Sequence, residues 1–146
     1  MKETVIGFIG AGNMASSIVR GLIDAGKNPE SIFVTDIDKE KLESIVTETG
    51  IKSTSTQKIS SLVSVLILAV KPQVMKSVCH ELVSIDAVHL VISVAAGIRI
   101  TQLEQWLDSK KAIVRCMPNT PALIGEGATG LFANKLADDH QKQLAQ

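Results

Sequence analysis

Two hydrophobic spacings take turns along this chain. Short, nearly continuous apolar runs alternate with stretches where apolar side chains recur every three or four positions, the patterns of buried strands and of amphipathic helices. Residues 4–9 read as a strand, and Met14, Ile18, Leu22 and Ala25 then share one helical face. A second strand spans 31–35, entered through the turn signal Asn28-Pro29. Asp38 is placed to cap a helix that turns Leu42, Ile45, Val46 and Thr49 inward and stops at Gly50. A brief third strand is expected at 51–53, and the Ser/Thr cluster over 53–61 reads as a loop with a short helix. Residues 64–70 form an apolar run suited to a strand buried on both faces. Lys71-Pro72 ends it, and Val74, Val78, Leu82 and Ile85 mark the next helix. Another buried strand covers 89–94, a helix carries Leu103, Trp106 and Leu107, and a sixth strand covers 112–117. An edge strand at 127–133 and a helix from 136 to 146 complete the pattern.

Strands alternating with helices in this way predict an α/β fold, a Rossmann-like, doubly wound and mostly parallel sheet. The turn after the first strand, Gly10-Ala11-Gly12-Asn13-Met14-Ala15, fits G-x-G-x-x-A. Gly10 permits a tight turn, Gly12 keeps a side chain away from a pyrophosphate, and Ala15 lets helix and strand pack closely. The helix that follows points unpaired N–H groups and the positive end of its dipole at the phosphates. Gly10 to Gly12, Asp36, Lys71-Pro72, Ala95 to Gly97 and Pro118 to Pro121 all fall at carboxyl ends of predicted strands, the edge where open α/β sheets bind ligands.

Composition narrows the function further. In 146 residues, 15 basic side chains balance 15 acidic ones, so no basic surface argues for nucleic acid. No apolar stretch is long enough to span a membrane, and the start does not resemble a secretory signal. Cys79 and Cys116 lie far apart, outside any metal spacing, and read as reduced, buried thiols of a cytoplasmic protein. No metal site is expected. His80, His89 and His140 have no partner at a catalytic spacing, Cys116 and Trp106 read as core, and no catalytic residue is assigned.

Four segments, in order, carry a resemblance: Gly7-Phe8-Ile9-Gly10-Ala11-Gly12-Asn13-Met14, Ala69-Val70-Lys71-Pro72, Ser93-Val94-Ala95-Ala96-Gly97, and Met117-Pro118-Asn119-Thr120-Pro121. Together they resemble the pyrroline-5-carboxylate reductases of proline biosynthesis; related 3-hydroxyacid dehydrogenases share the first segment but not the last. The resemblance implies that Ile9, Gly10, Ala11, Gly12, Asn13 and Met14 hold the pyrophosphate. It implies that Ala69, Val70, Lys71 and Pro72 line the adenosine side and the entry to the nicotinamide, and that Ala95, Ala96, Gly97, Pro118, Asn119 and Thr120 flank the ring. The implied reaction is hydride transfer from NADH or NADPH to the C=N carbon of 1-pyrroline-5-carboxylate, a small-molecule substrate, giving L-proline. Family members also carry a helical domain for dimerisation and most of the substrate site. Residues 1–135 are therefore expected to be the cofactor domain and 136–146 the start of a helix towards a second domain. A homo-oligomeric parent and a monomeric, inactive fragment follow from that expectation.

Asp36 leaves the cofactor open. A carboxylate at the end of the second strand favours a ribose 2′-hydroxyl and hence NAD, whereas the family commonly uses NADPH; Lys39 and Lys41 stand nearby to offset the charge. Thr35 and Gln57 lie where the adenosine ribose is expected. Two other readings share these features: a 3-hydroxyacid dehydrogenase or imine reductase domain, and a module that binds NAD(P) without chemistry.

Overall fold

The computed structural model describes residues 4–82, 85, 87–95, 97–107, 112–118 and 129–133. Seven strands form one sheet: β1 (Ile6–Ile9), β2 (Ile32–Thr35), β3 (Lys52–Ser53), β4 (Val65–Leu68), β5 (Leu90–Ser93), β6 (Ala112–Pro118) and β7 (Thr129–Ala133). Their spatial order is β3-β2-β1-β4-β5-β6-β7. The first six are parallel, and β7 runs antiparallel to β6 at the edge. The Rossmann-like reading of the periodicities is correct, including the edge strand at the end.

Among the described residues, five α-helices cover the sheet: α1 (Asn13–Asp24), α2 (Lys39–Thr49), α3 (Thr56–Leu62), α4 (Pro72–Glu81) and α5 (Ile100–Leu107). Side chains alternate across a strand, so β1 serves both faces. Phe8 packs with Ala15 and Val19 of α1 and Ile45 of α2, while Ile9 packs with Ile59 of α3, Met75 and Cys79 of α4, and Leu103 of α5. Every residue of β4 and β5 is buried, which explains why these strands read as continuous apolar runs. Gly7 lets α3 approach: a Cβ there would stand 2.9–3.0 Å from the side chains of Val63 and Ile59.

Helix boundaries follow local chemistry. Asp38 caps α2, its Oδ1 accepting the N–H of Glu40 at 3.1 Å and of Lys41 at 3.3 Å. Gly50 ends the helix in the left-handed conformation, with φ of 80°. Ser55 caps α3 through Lys58 N–H. Several boundaries differ from the sequence reading: β1, β4 and β5 are shorter than the runs read at 4–9, 64–70 and 89–94. The third strand shrinks to Lys52–Ser53, and α4 stops at Glu81 because Leu82 turns extended, so Ile85 reaches the core from outside the helix. The predicted helix over 136–146, His140, and the first two residues of the predicted edge strand lie outside the described residues.

Register brings the strand ends level. Ile9 pairs with Thr35 and with Leu68, and Leu68 pairs with Ser93. One residue further, Gly10 N–H donates to the Thr35 carbonyl at 2.8 Å, Ala69 N–H to that of Ile9 at 2.8 Å, and Val94 N–H to that of Leu68 at 3.2 Å. β6 runs past this row through Cys116, Met117 and Pro118. Strand order reverses between β1 and β4, the switch point at which an open α/β sheet leaves a crevice.

Candidate functional site

An open cleft of about 720 Å³ lies at that switch point. The glycine turn (Ala11, Gly12) and the first residues of α1 (Asn13, Met14) form one wall, and Ala69, Val70, Lys71 and Pro72 after β4 form another. Val94 and Ala95 after β5 line it as well.

The two glycines of the turn do different work. Gly10 adopts φ of 111°, a left-handed conformation that side chains rarely take, and a Cβ there would stand 2.5 Å from the Ala69 carbonyl oxygen. It is what lets β1 turn tightly against β4. Gly12 has an ordinary extended φ of −79°, and a Cβ built on it meets no atom within 4 Å. The missing side chain leaves open space directly over the start of α1. That space fits a pyrophosphate, and a side chain would fill it.

Helix α1 starts with no side-chain cap, unlike α2 and α3, and with no acidic residue in its first turn, unlike α2. Helix α4 also starts uncapped, at Lys71, with Pro72 in its first turn. Pro72 brings no N–H of its own, and its fixed φ suits a first helical position. Both uncapped starts face the same cleft. Unsatisfied N–H groups of this kind suit anionic oxygens.

Asp36 at the end of β2 is tied into the glycine turn. Its Oδ2 accepts the Ala11 N–H at 2.7 Å, and its Oδ1 accepts the Asp38 N–H at 2.8 Å. Thr35 is buried, with its hydroxyl 3.4 Å from that of Thr56, and Gln57 is exposed on the first turn of α3. Neither belongs to the lining of the cleft. Ile9 is buried as the last residue of β1, and Gly97 is exposed with φ of 78°. Pro118 ends β6 opposite Thr129. Ala96, Asn119 and Thr120 lie outside the described residues.

The cleft also has a wall that the sequence reading missed. Ser16 and Arg20 of α1 face Lys41, Ser44 and Glu48 of α2 across a polar groove. Arg20 binds Glu48 through two hydrogen bonds, of 2.8 and 2.9 Å, which raise the guanidinium pKa and lower that of the carboxyl. Asn13, Ser16 and Arg20 recur at helical spacing, so this polar stripe was available as a signal. What it faces was not.

Among the described residues no group of three or more His, Cys, Asp and Glu side chains could hold a metal, and no helix is long and apolar enough to cross a membrane. His80 and His89 are exposed, whereas Cys79 and Cys116 are buried in the core. Burial pushes both thiols up to about 11, which makes them poor nucleophiles.

Residues 5–97 match the family described as "NADP oxidoreductase coenzyme F420-dependent". The chain is 43% identical to the pyrroline-5-carboxylate reductase of Haemophilus influenzae, an alignment that covers all of this chain and 54% of the relative. It superimposes on the Coxiella burnetii pyrroline-5-carboxylate reductase with a TM-score of 0.91 and 43% identity, over 99% of this chain and 54% of that one. The Plasmodium falciparum pyrroline carboxylate reductase, solved with NADP bound, gives a TM-score of 0.84 and 29% identity over 99% and 53% of the two chains. The chain thus spans about half the length of the curated relatives it matches, and the resemblance carried by its four motifs is borne out.

Proposed function

The chain belongs to the family described as NADP oxidoreductase, coenzyme F420-dependent, and from that premise we propose that it is the dinucleotide-binding part of a pyrroline-5-carboxylate reductase. The observation that carries this reading is the open space over Gly12 at the uncapped start of α1, set in a cleft at the switch point of the sheet. The N–H groups of the first turn of α1, beside the glycine turn, bind the pyrophosphate of NAD(P)H. Ile9 and Gly10 shape that turn from beneath. Ala69, Val70, Lys71 and Pro72 bound the path from adenosine to nicotinamide, and Thr35, Asp36 and Gln57 border the ribose. Ala95, Ala96 and Gly97, together with Pro118, Asn119 and Thr120, flank the ring, where small side chains and prolines leave room for a flat ligand.

When bound, the reduced nicotinamide would supply a hydride to the C=N carbon of 1-pyrroline-5-carboxylate, whose nitrogen is protonated from solvent, giving L-proline and the oxidised nicotinamide. This chain's part is positional: it fixes one ring so that a second can be stacked against it, and orientation of this kind lowers a barrier without an acid–base pair. No catalytic side chain is assigned within it. Residues 1–135 form the cofactor domain, and 136–146 lead towards a helical domain that supplies the substrate pocket and the dimer contact. The enzyme is placed in the cytoplasm, with no nucleic-acid or membrane partner.

Calorimetric titration with NADH and NADPH tests the site, and the expected result is saturable binding of a reduced dinucleotide. Absence of binding by a folded sample refutes it. The reaction is tested with a chimera that joins this chain to the second half of the Coxiella burnetii reductase. Reduction of 1-pyrroline-5-carboxylate is expected; a chimera that binds dinucleotide but does not turn over refutes the substrate assignment.

A further inference from the structure

Helix α1 carries one apolar side chain that the core does not take up. Met14, Ile18 and Leu22 recur at helical spacing along its inward stripe. Ile18 and Leu22 pack against the core beneath the helix, whereas Met14, half-buried in the first turn, lines the cleft. Side chains of a helix lean back towards its start, so a residue in the first turn covers the opening of the helix. The Met14 thioether is thus directed towards the uncapped N–H groups of α1 and the open space over Gly12.

A thioether is at most a weak acceptor, and it makes little claim on those N–H groups. Oxidation reverses this. A sulfur lone pair attacks hydrogen peroxide, an S–O bond forms as the O–O bond breaks, and the other oxygen leaves as water with both protons. The sulfur is oxidised and the peroxide reduced. The sulfoxide that results is polar, and its oxygen accepts hydrogen bonds but has no proton to give. The positive end of the α1 dipole attracts such an oxygen as it attracts phosphate. The oxygen therefore competes for the donors assigned to the pyrophosphate and sets partial negative charge against an anion. There is room for it, since a Cβ built on Gly12 meets no atom within 4 Å.

Other sulfur atoms nearby are shielded. Met75, Cys79 and Cys116 are buried in the core. Burial also raises both thiols to about 11, so they present little of the thiolate that reacts with peroxide.

We propose that Met14 is a site of reversible oxidation, at which a peroxide converts the thioether to the sulfoxide and so weakens dinucleotide binding. This rests on the dinucleotide reading of the cleft and adds a regulatory modification to it.

The test exposes the protein and Met14→Leu to dilute hydrogen peroxide and stops the reaction with catalase. Peptide mass spectrometry maps the added oxygen, and calorimetry measures NADH affinity. Each sample is compared with its own untreated form, so any effect of the substitution itself cancels. Met14 should gain one oxygen at least about tenfold faster than Met75, and the converted protein should bind NADH at least about fivefold more weakly. Methionine sulfoxide reductase should restore the affinity, an arm that needs no substitution. Treated Met14→Leu should match untreated Met14→Leu. Unchanged affinity after full conversion of Met14 overturns the proposal, as does oxidation of Met14 no faster than that of Met75. An equal loss in treated Met14→Leu, or a loss that the reductase does not reverse, places the lesion elsewhere and overturns it too. Absence of NADH binding by the untreated, folded protein is a different failure, because it removes the dinucleotide site itself and this proposal with it.

Discussion

Gly10 and Gly12 stand two positions apart in one turn, yet their replacement by alanine should have opposite effects. At Gly10 the backbone φ of 111° is costly for any L side chain, about 1–3 kcal/mol. The added Cβ would also meet the Ala69 carbonyl oxygen at 2.5 Å and its carbon at 2.8 Å. These are backbone atoms of the neighbouring strand end, so no rotamer change relieves the clash, and overpacking of this kind costs about 1–3 kcal/mol more. Gly10→Ala should therefore lose about 2–6 kcal/mol of stability in total. At Gly12 the φ is −79° and the added Cβ meets nothing within 4 Å. Less backbone entropy in the unfolded chain offsets the weaker helix cap, and Gly12→Ala should stay within about 1 kcal/mol of the parent. Urea unfolding followed by circular dichroism measures both, and the same samples are then titrated with NADH. Gly12→Ala should keep its midpoint and lose nucleotide affinity, and the branched Gly12→Val should lose more. Gly10→Ala should shift the midpoint. Equal destabilisation by the two alanines would refute the division of labour. Unchanged affinity in Gly12→Val would refute the pyrophosphate site.

Leu66→Ala removes a fully buried side chain from the central strand β4 and should cost about 2–5 kcal/mol by urea unfolding, while leaving the cleft residues in place. Asp38→Ala removes the α2 cap and should cost about 1 kcal/mol, with thermal unfolding as the measure. The thiols of Cys79 and Cys116 are raised by burial to about 11 from an ordinary value near 9, so the unfolded chain releases their protons first. Their stabilising contribution is complete below pH 9 and is lost as pH rises towards 11, about 1 kcal/mol per thiol by pH 10. Cys79→Ala should flatten part of that decline. Both thiols should resist a thiol reagent at pH 8 until denaturant is added; rapid modification of folded protein would contradict their burial.

Much of this protein was legible in its residues because the signals are local. Alternating periods fixed strands and helices, and Asp38 and Gly50 marked the limits of α2 through hydrogen bonds that reach only a few positions. The strand, turn and helix start around Gly10 and Gly12 were legible for the same reason, since they are contiguous. The four motifs placed the chain in its family, and the relatives agree. Other features depended on segments far apart in sequence. The polar wall formed by Ser16 and Arg20 with Ser44 and Glu48 arises only when α1 and α2 lie side by side on one face of the sheet. Thr35 and Gln57 are expected near the ribose from their place in sequence, whereas the approach of the Thr35 hydroxyl to that of Thr56 arises only when α3 packs beside β2. Asp36 shows the division most clearly. Its position at a strand end could be read directly, whereas its two amide partners required β1 and β2 to be paired in register, with Ile9 beside Thr35. Sequence determines which groups are available and the local conformations they prefer. Tertiary structure decides which of them meet, because long-range pairing in the sheet sets distances that no local pattern encodes.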